Sequence, residues 1–147
     1  MARKISDRSR EAGFTLFELL VVLAILTLLA AIVAPRVIGY LGRAKGDVAR
    51  SQMSNILTAL ELYYLDLGGY PREDQGLPAL VVAPEIDSEP LAAWRGPYLG
   101  DDTALTDPWG AAYIYVYDPQ TDRARVVSYG RDGEPGGEGE DGDLLAQ

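Results

Sequence analysis

Two sets of carboxylates carry whatever chemistry this chain can perform. Glu18 lies in the otherwise apolar run from Phe14 to Ala34, and Asp132, Glu134, Glu138, Glu140, Asp141 and Asp143 crowd a glycine-rich C-terminal stretch in which Arg131 is the lone cation. Cysteine and histidine are absent, which excludes thiol nucleophiles, disulfides, imidazole bases and the usual zinc and haem ligands. Only hard oxygen donors remain for a metal, and these suit calcium or magnesium. The 13 Lys and Arg against 22 Asp and Glu leave a formal charge of −9, so a sequence-independent grip on nucleic-acid phosphates is excluded as the main role.

Glu18 costs on the order of 3 kcal/mol or more to hold in hydrocarbon without a partner. It either reaches headgroup water by snorkelling or finds a cation. The sequence Gly13-Phe14-Thr15-Leu16-Phe17-Glu18 supplies one if the chain is cut after Gly13, because the cut exposes an α-amine at Phe14. That amine lies one helical turn from Glu18 of its own chain, and the amine of an axially displaced neighbour can also reach it. Such a pair neutralises both charges and fixes the stagger between chains.

The C-terminal acids admit three readings. Gly and Glu content of this kind describes a solvated, disordered end. Gly136-Gly137-Glu138-Gly139-Glu140-Asp141 also matches a calcium-binding repeat, but that repeat works as stacked copies and here stands once. An EF-hand is excluded, since Asp132 is followed by Gly133 rather than by alternating oxygen donors. The third reading is a single calcium folding the loop back, with carboxylates and glycine carbonyls offering the roughly six to eight oxygens it prefers. A second acidic group, Glu85, Asp87 and Glu89, lies in a proline-flanked loop and reads as solvated surface.

The elements that position these groups follow from the segregation of the chain. A length of 147 residues suits one domain. Residues 1–13 form a short leader with Arg3, Lys4, Arg8 and Arg10 against Asp7 and Glu11, and its basic end should remain cytoplasmic. Residues 14–35 form a transmembrane and assembly helix, since roughly 20 apolar residues cross a bilayer. Ala30, Ala31 and Ala34 could imitate a secretory cleavage site, a competing reading. Pro35 should remove one backbone bond and bend the rod, and Gly39, Gly42 and Gly46 should loosen it. Residues 36–69 form an amphipathic helix whose stripe is Val37, Leu41, Ala44, Val48, Ile56, Leu60 and Tyr63, ended by Gly68 and Gly69.

Residues 70–147 form a loop-rich β domain. A helical turn or two is expected over Gln75–Val82, and a β-hairpin pairs 112–117 with 124–128 across the turn 118–122. The hairpin needs the helix to cover it. Trp94 and Trp109, set beside Pro97 and Pro108, read as loop anchors, and Gly110 permits the turn into the first strand. The fold class is therefore α+β: one long helix packed on a small antiparallel hairpin or sheet, with a C-terminal acidic loop.

At the motif Gly13-Phe14-Thr15-Leu16-Phe17-Glu18 behind a basic leader, the chain resembles the type IV pilins and the type II secretion pseudopilins. The resemblance implies cleavage between Gly13 and Phe14 by prepilin peptidase, N-methylation of Phe14, Glu18 as the assembly glutamate and Pro35 as the helix-bending proline. Gly69-Tyr70-Pro71, Asp74-Gln75-Gly76-Leu77, Trp94-Arg95-Gly96-Pro97-Tyr98-Leu99, Thr106-Asp107-Pro108-Trp109-Gly110 with Tyr113, and Ser128-Tyr129-Gly130-Arg131-Asp132-Gly133 then Gly136-Gly137 resemble the major pseudopilin family, general secretion pathway protein G. Two departures stand out: Arg131 stands where the family often has Ala, and the short end lacks the aromatic that often follows the family's final Asp-Ile-like step, here Asp143-Leu144.

That family resemblance implies a structural, non-enzymatic subunit of a periplasmic filament, anchored by a single pass in the bacterial inner membrane with its C-terminal domain periplasmic. Its implied partners are further copies of itself, prepilin peptidase, minor pseudopilins, the inner-membrane platform, an assembly ATPase acting indirectly and the outer-membrane secretin through which folded proteins leave; nucleic acid is not among them. It also implies a structural Ca²⁺ in the C-terminal loop, carried over to Asp132, the Tyr129 carbonyl and Asp143, with Asp141 as the next carboxylate. The alternatives are a type IV pilin for adhesion, motility or DNA uptake, disfavoured by the lack of cysteine, and a membrane-tethered periplasmic binding or catalytic domain.

Overall fold

The computed structural model describes residues 14–86 and 89–147; the leader, including Gly13, and Asp87 lie outside them. Helix α1 (Leu16–Leu67) is followed by a 3-10 turn (Leu77–Leu80), a minimal hairpin β1 (Glu85–Ile86) and β2 (Glu89–Pro90), a second 3-10 turn (Asp102–Leu105), and the strands β3 (Ile114–Asp118), β4 (Arg123–Ser128) and β5 (Leu144–Ala146). The residues fall into two compact units, one ending at Gly39 and the other running from Tyr40 to Gln147.

In the first unit every described side chain from Phe14 to Ile38 is exposed, and the helix is long and apolar enough to cross a membrane. An all-round apolar surface suits lipid or neighbouring apolar helices. Pro35 sits inside α1 without ending it. The expected loosening at Gly39, Gly42 and Gly46 is likewise not seen, since α1 stays helical throughout.

In the second unit α1 covers a three-stranded antiparallel sheet in the order β3-β4-β5. The expected hairpin is present, with Ile114 opposite Val127 and Asp118 opposite Arg123. Tyr113, Tyr115 and Tyr117 share one face because side chains alternate along a strand. Their hydroxyls find acceptors: Tyr113 donates to Gln52 Oε1 at 2.8 Å, Tyr115 to the Pro71 carbonyl at 2.8 Å and Tyr117 to Asp122 Oδ1 at 3.0 Å. Burial pushes the Tyr113 and Tyr115 phenols well up, so they remain donors. The core closes with Leu77 and Leu80 from the first 3-10 turn, which occupies part of the stretch expected to be helical, and with Ala124 and Val126 from β4. Trp94 anchors its loop as expected, donating from Nε1 to the Ala79 carbonyl at 2.9 Å and meeting Tyr98 edge-on at 5.6 Å. The Trp109 Nε1 is buried without a partner among the described residues. Glu85 and Glu89 are exposed on β1 and β2.

The helix stripe is a correction. Ile56, Leu60 and Tyr63 are buried as expected, but Leu41 is 60 % and Val48 50 % exposed, and Val37 is exposed too. The covering face is instead Gly42, Ala49, Met53, Ile56, Ala59, Leu60 and Tyr63. Adjacent helix residues point about 100° apart, so Ala49 faces inward where Val48 cannot. Gly68, with a φ of 73°, ends α1 by donating its N–H to the Tyr64 carbonyl at 2.7 Å, the left-handed cap expected of glycine.

Leu60→Ala should therefore cost about 2–5 kcal/mol, whereas Val48→Ala should stay within about 0.5 kcal/mol. Denaturant unfolding of the detergent-solubilised chain, followed by tryptophan fluorescence, measures both; similar losses at the two positions would reverse the assignment of faces.

Candidate functional site

At the start of α1, Thr15 and Glu18 form a reciprocal cap. The Thr15 backbone N–H and Oγ1 each donate to Glu18 Oε2 at 3.0 Å, and the Glu18 N–H donates to Thr15 Oγ1 at 3.2 Å. The arrangement satisfies backbone donors that a helix start leaves open. It also holds the carboxylate at the helix terminus. Oε2 is engaged twice, while Oε1 has no donor among the described residues. Phe14 lies exposed just ahead of the cap. Thr15 was legible in the sequence as the first residue of a Thr-x-x-Glu capping box, a signal overshadowed by the charge on Glu18.

The C-terminal acids do not trail away as a solvated end; residues 129–143 fold into consecutive turns. The Arg131 N–H donates to the Glu140 carbonyl at 2.8 Å and the Asp141 N–H to the Glu138 carbonyl at 3.2 Å. Gly137 has a φ of 79°, and a Cβ there would overlap the backbone of Asp141, so glycine is required both by conformation and by space. Gly42 of α1 is buried directly under the Glu140 side chain, where a Cβ would overlap the carboxylate. Beyond the loop, β5 joins β4 with Val126 opposite Ala146 and Ser128 opposite Leu144. This third strand was not anticipated.

The carboxylates expected at a metal have different surroundings. Asp141 is held side-on by Arg131, Nε to Oδ1 and Nη2 to Oδ2, both at 2.8 Å. Asp132 Oδ1 accepts from the Glu134 N–H at 3.1 Å and Asp143 Oδ1 from the Gly136 N–H at 3.0 Å; their Oδ2 atoms have no donor among the described residues. No group of three or more acids stands at metal-binding separation among those residues. Asp132 and Asp143 each keep one open oxygen among the described residues, the hard donor type that calcium takes. Both oxygens of Asp141 already accept from the Arg131 guanidinium, so a cation there would share them.

A buried carboxylate that the sequence reading did not single out for its side chain lies upstream. Asp107 is only 4 % exposed. Its Oδ1 accepts from the N–H groups of Trp109 at 3.0 Å and Ala111 at 2.9 Å, and its Oδ2 from Ser128 Oγ at 2.6 Å. Ser128 Oγ in turn accepts from the Gly130 N–H at 3.2 Å. Three donors make burial of the charge tolerable, and the chain of bonds ties the turn before β3 to the entry of the C-terminal loop. The Asp-Pro-x-Gly spacing signalled a side-chain-stabilised turn, but Ser128 is remote in sequence.

The helix start and the sheet-covered helix define the class: residues 8–34 match the prokaryotic N-terminal methylation motif. Residues 36–147 match the family described as type II secretion system (T2SS), protein G. Among curated relatives, a type II secretion system core protein G of Pseudomonas aeruginosa is 38% identical over 138 residues, covering 94% of this chain and 96% of the relative. A protein of the same description from Vibrio cholerae is 37% identical over 135 residues, covering 92% and 90%. The crystal structure of the major pseudopilin from the type 2 secretion system of enterohaemorrhagic Escherichia coli aligns with a TM-score of 0.58 and 30% identity over 73% of this chain and 86% of that one. The chain belongs to the type II secretion system protein G family, whose members are structural pseudopilin subunits.

Asp107→Ala should cost about 2–4 kcal/mol, because it strands the buried hydroxyl of Ser128 and the partly buried N–H groups of Trp109 and Ala111, while Asp107→Asn keeps an acceptor and should lose less. Thermal unfolding of the two variants tests this; equal, small shifts would dismiss the network as a stabilising feature.

Proposed function

We propose that the chain is made as a precursor that inserts once in the bacterial inner membrane, leader in the cytoplasm and residues beyond the span in the periplasm. Prepilin peptidase then cuts between Gly13 and Phe14 and methylates the new terminus. The mature chain polymerises through its apolar helix into the pseudopilus of type II secretion. Growth of that filament moves folded proteins outward through a secretin, driven by a cytoplasmic ATPase acting through an inner-membrane platform, with minor pseudopilins as companion subunits. The role is structural rather than catalytic.

The observation that carries this reading is Glu18. From Leu16 to Ala34 the helix around it is, apart from Thr27, apolar on every side, and among the described residues Thr15 engages Oε2 and nothing engages Oε1. A methylated amine at Phe14 of a neighbouring copy supplies the matching charge, and burial against other helices replaces lipid as the chain leaves the bilayer. Glu18→Ala should insert and be processed normally yet fail to enter filaments, as read by shearing and sedimentation of pseudopili from cells also making the unaltered chain. Normal incorporation would remove Glu18 from the assembly mechanism.

The same reading gives the C-terminal loop a structural calcium, held by Asp132, Asp143 and the Tyr129 carbonyl, with Asp141 left to Arg131. When bound, the ion offsets repulsion among the acids and stabilises the folded loop by binding it alone. Support comes from the open oxygens of Asp132 and Asp143 among the described residues and from the glycine-rich turns of the loop that carries them. Asp132→Ala should abolish the protection that calcium gives against thermolysin. Identical digestion of the unaltered chain in calcium and in chelator would count against the site.

A further inference from the structure

Residues 130–143 carry six carboxylates and one cation, a charge density that opposes compaction. They are nonetheless closed around Glu140 and Asp141, the pair that meets Gly42 of α1 and the backbone of Gly137. Gly130 also approaches closely, since a Cβ there would stand 2.6 Å from the Glu140 carbonyl oxygen. Arg131 grips this point by two routes. Its backbone N–H donates to the Glu140 carbonyl at 2.8 Å, and its guanidinium clasps both oxygens of Asp141 at 2.8 Å, with Nη1 3.9 Å from Glu140 Oε2. The side chains of Asp141 and Glu140 are only 31 % and 26 % exposed, against 55 % for Arg131. Isolated surface pairs contribute little, but a two-point fork with a second carboxylate beside it belongs to the stronger kind.

We infer that Arg131 is a resident counter-cation of the C-terminal loop, which by clasping Asp141 keeps residues 140–141 closed on Arg131 and Gly42, and β5 on β4, whether or not a divalent ion is bound. The inference stands apart from the calcium reading, since it concerns the Arg131–Asp141 fork, which is measured in chelator. Substitution acts locally: α1 keeps its core residues, so amides of residues 53–63 report whether the domain remains folded.

The test is hydrogen exchange on the full chain in detergent and chelator, comparing residues 130–146 with residues 53–63. Arg131→Ala and Asp141→Asn should each speed exchange in 130–146 by about three- to tenfold and leave 53–63 unchanged. The double variant should exchange no faster than the faster single variant, because the two changes remove one shared contact. Arg131→Lys should recover less than half of the protection, as an ammonium cannot make the fork. Unaltered exchange in Arg131→Ala, additive effects in the double variant, or full recovery by Lys would each overturn the inference. Added calcium forms a separate arm: if it protects no variant, the calcium reading fails while the Arg131–Asp141 coupling measured in chelator stands.

Discussion

One helix has to meet two solvents, and the remaining features answer that requirement. Over Phe14–Ile38 the helix surface is exposed and, apart from Thr15, Glu18, Thr27 and Arg36, apolar or small. From Gly42 to Tyr63 only one face is buried. A segment of the first kind is stable in lipid or among like helices, and one of the second only against a sheet. A carboxylate in the first segment is then a functional demand: it must be satisfied locally, by a neighbour, or both. The Thr15–Glu18 cap supplies the local half and, among the described residues, leaves an oxygen over.

A charge constraint governs the other end of the chain. The C-terminal loop gathers acids faster than a surface segment can fold by burial, and its fold depends on compensation. Glycine lets backbone segments come within reach, as at Gly137, and Arg131 supplies charge on Asp141. Asp107, through Ser128, fixes where the loop begins. Few buried apolar groups lie within this loop itself, so its order rests on hydrogen bonds and ion pairing, which respond to salt, cations and single substitutions more sharply than a packed core does.

The sequence was most legible where one physical signal acted alone. The run Ala112–Tyr117 and the polar turn after it placed the hairpin to within a residue or two, because β-branched and aromatic residues have few other uses at that spacing. The lone acid in the apolar run was equally plain as a charge needing a partner, though not its Thr15 cap. The stripe facing the sheet was misread in its upper half because Val37, Leu41, Ala44 and Val48 keep helical spacing yet lie on a different face. The residues that do turn inward there, Gly42 and Ala49, are small, contribute little to a hydropathy pattern, and are chosen for close approach. β5 escaped notice because three residues are too few to display a period. The Asp107–Ser128 bond joins residues 21 apart in sequence, a separation that no local pattern records.

The exposed upper face acquires meaning once the family is known. A monomer gains nothing from displaying Leu41 and Val48 while burying Gly42 and Ala49; apolar area left in water costs about 25 cal/mol per Å² relative to burial. A subunit that spends its working life in a filament follows different economics, since surface exposed in isolation is covered by its neighbours. The same argument explains why the upper end of the covering face, at Gly42 and Ala49, uses small residues. They let the acidic loop close on the helix at Gly42, while Leu41 and Val48 remain on the outward side. Over residues 41–49 the division of small residues inward and large ones outward is therefore the opposite of what a solitary domain would select.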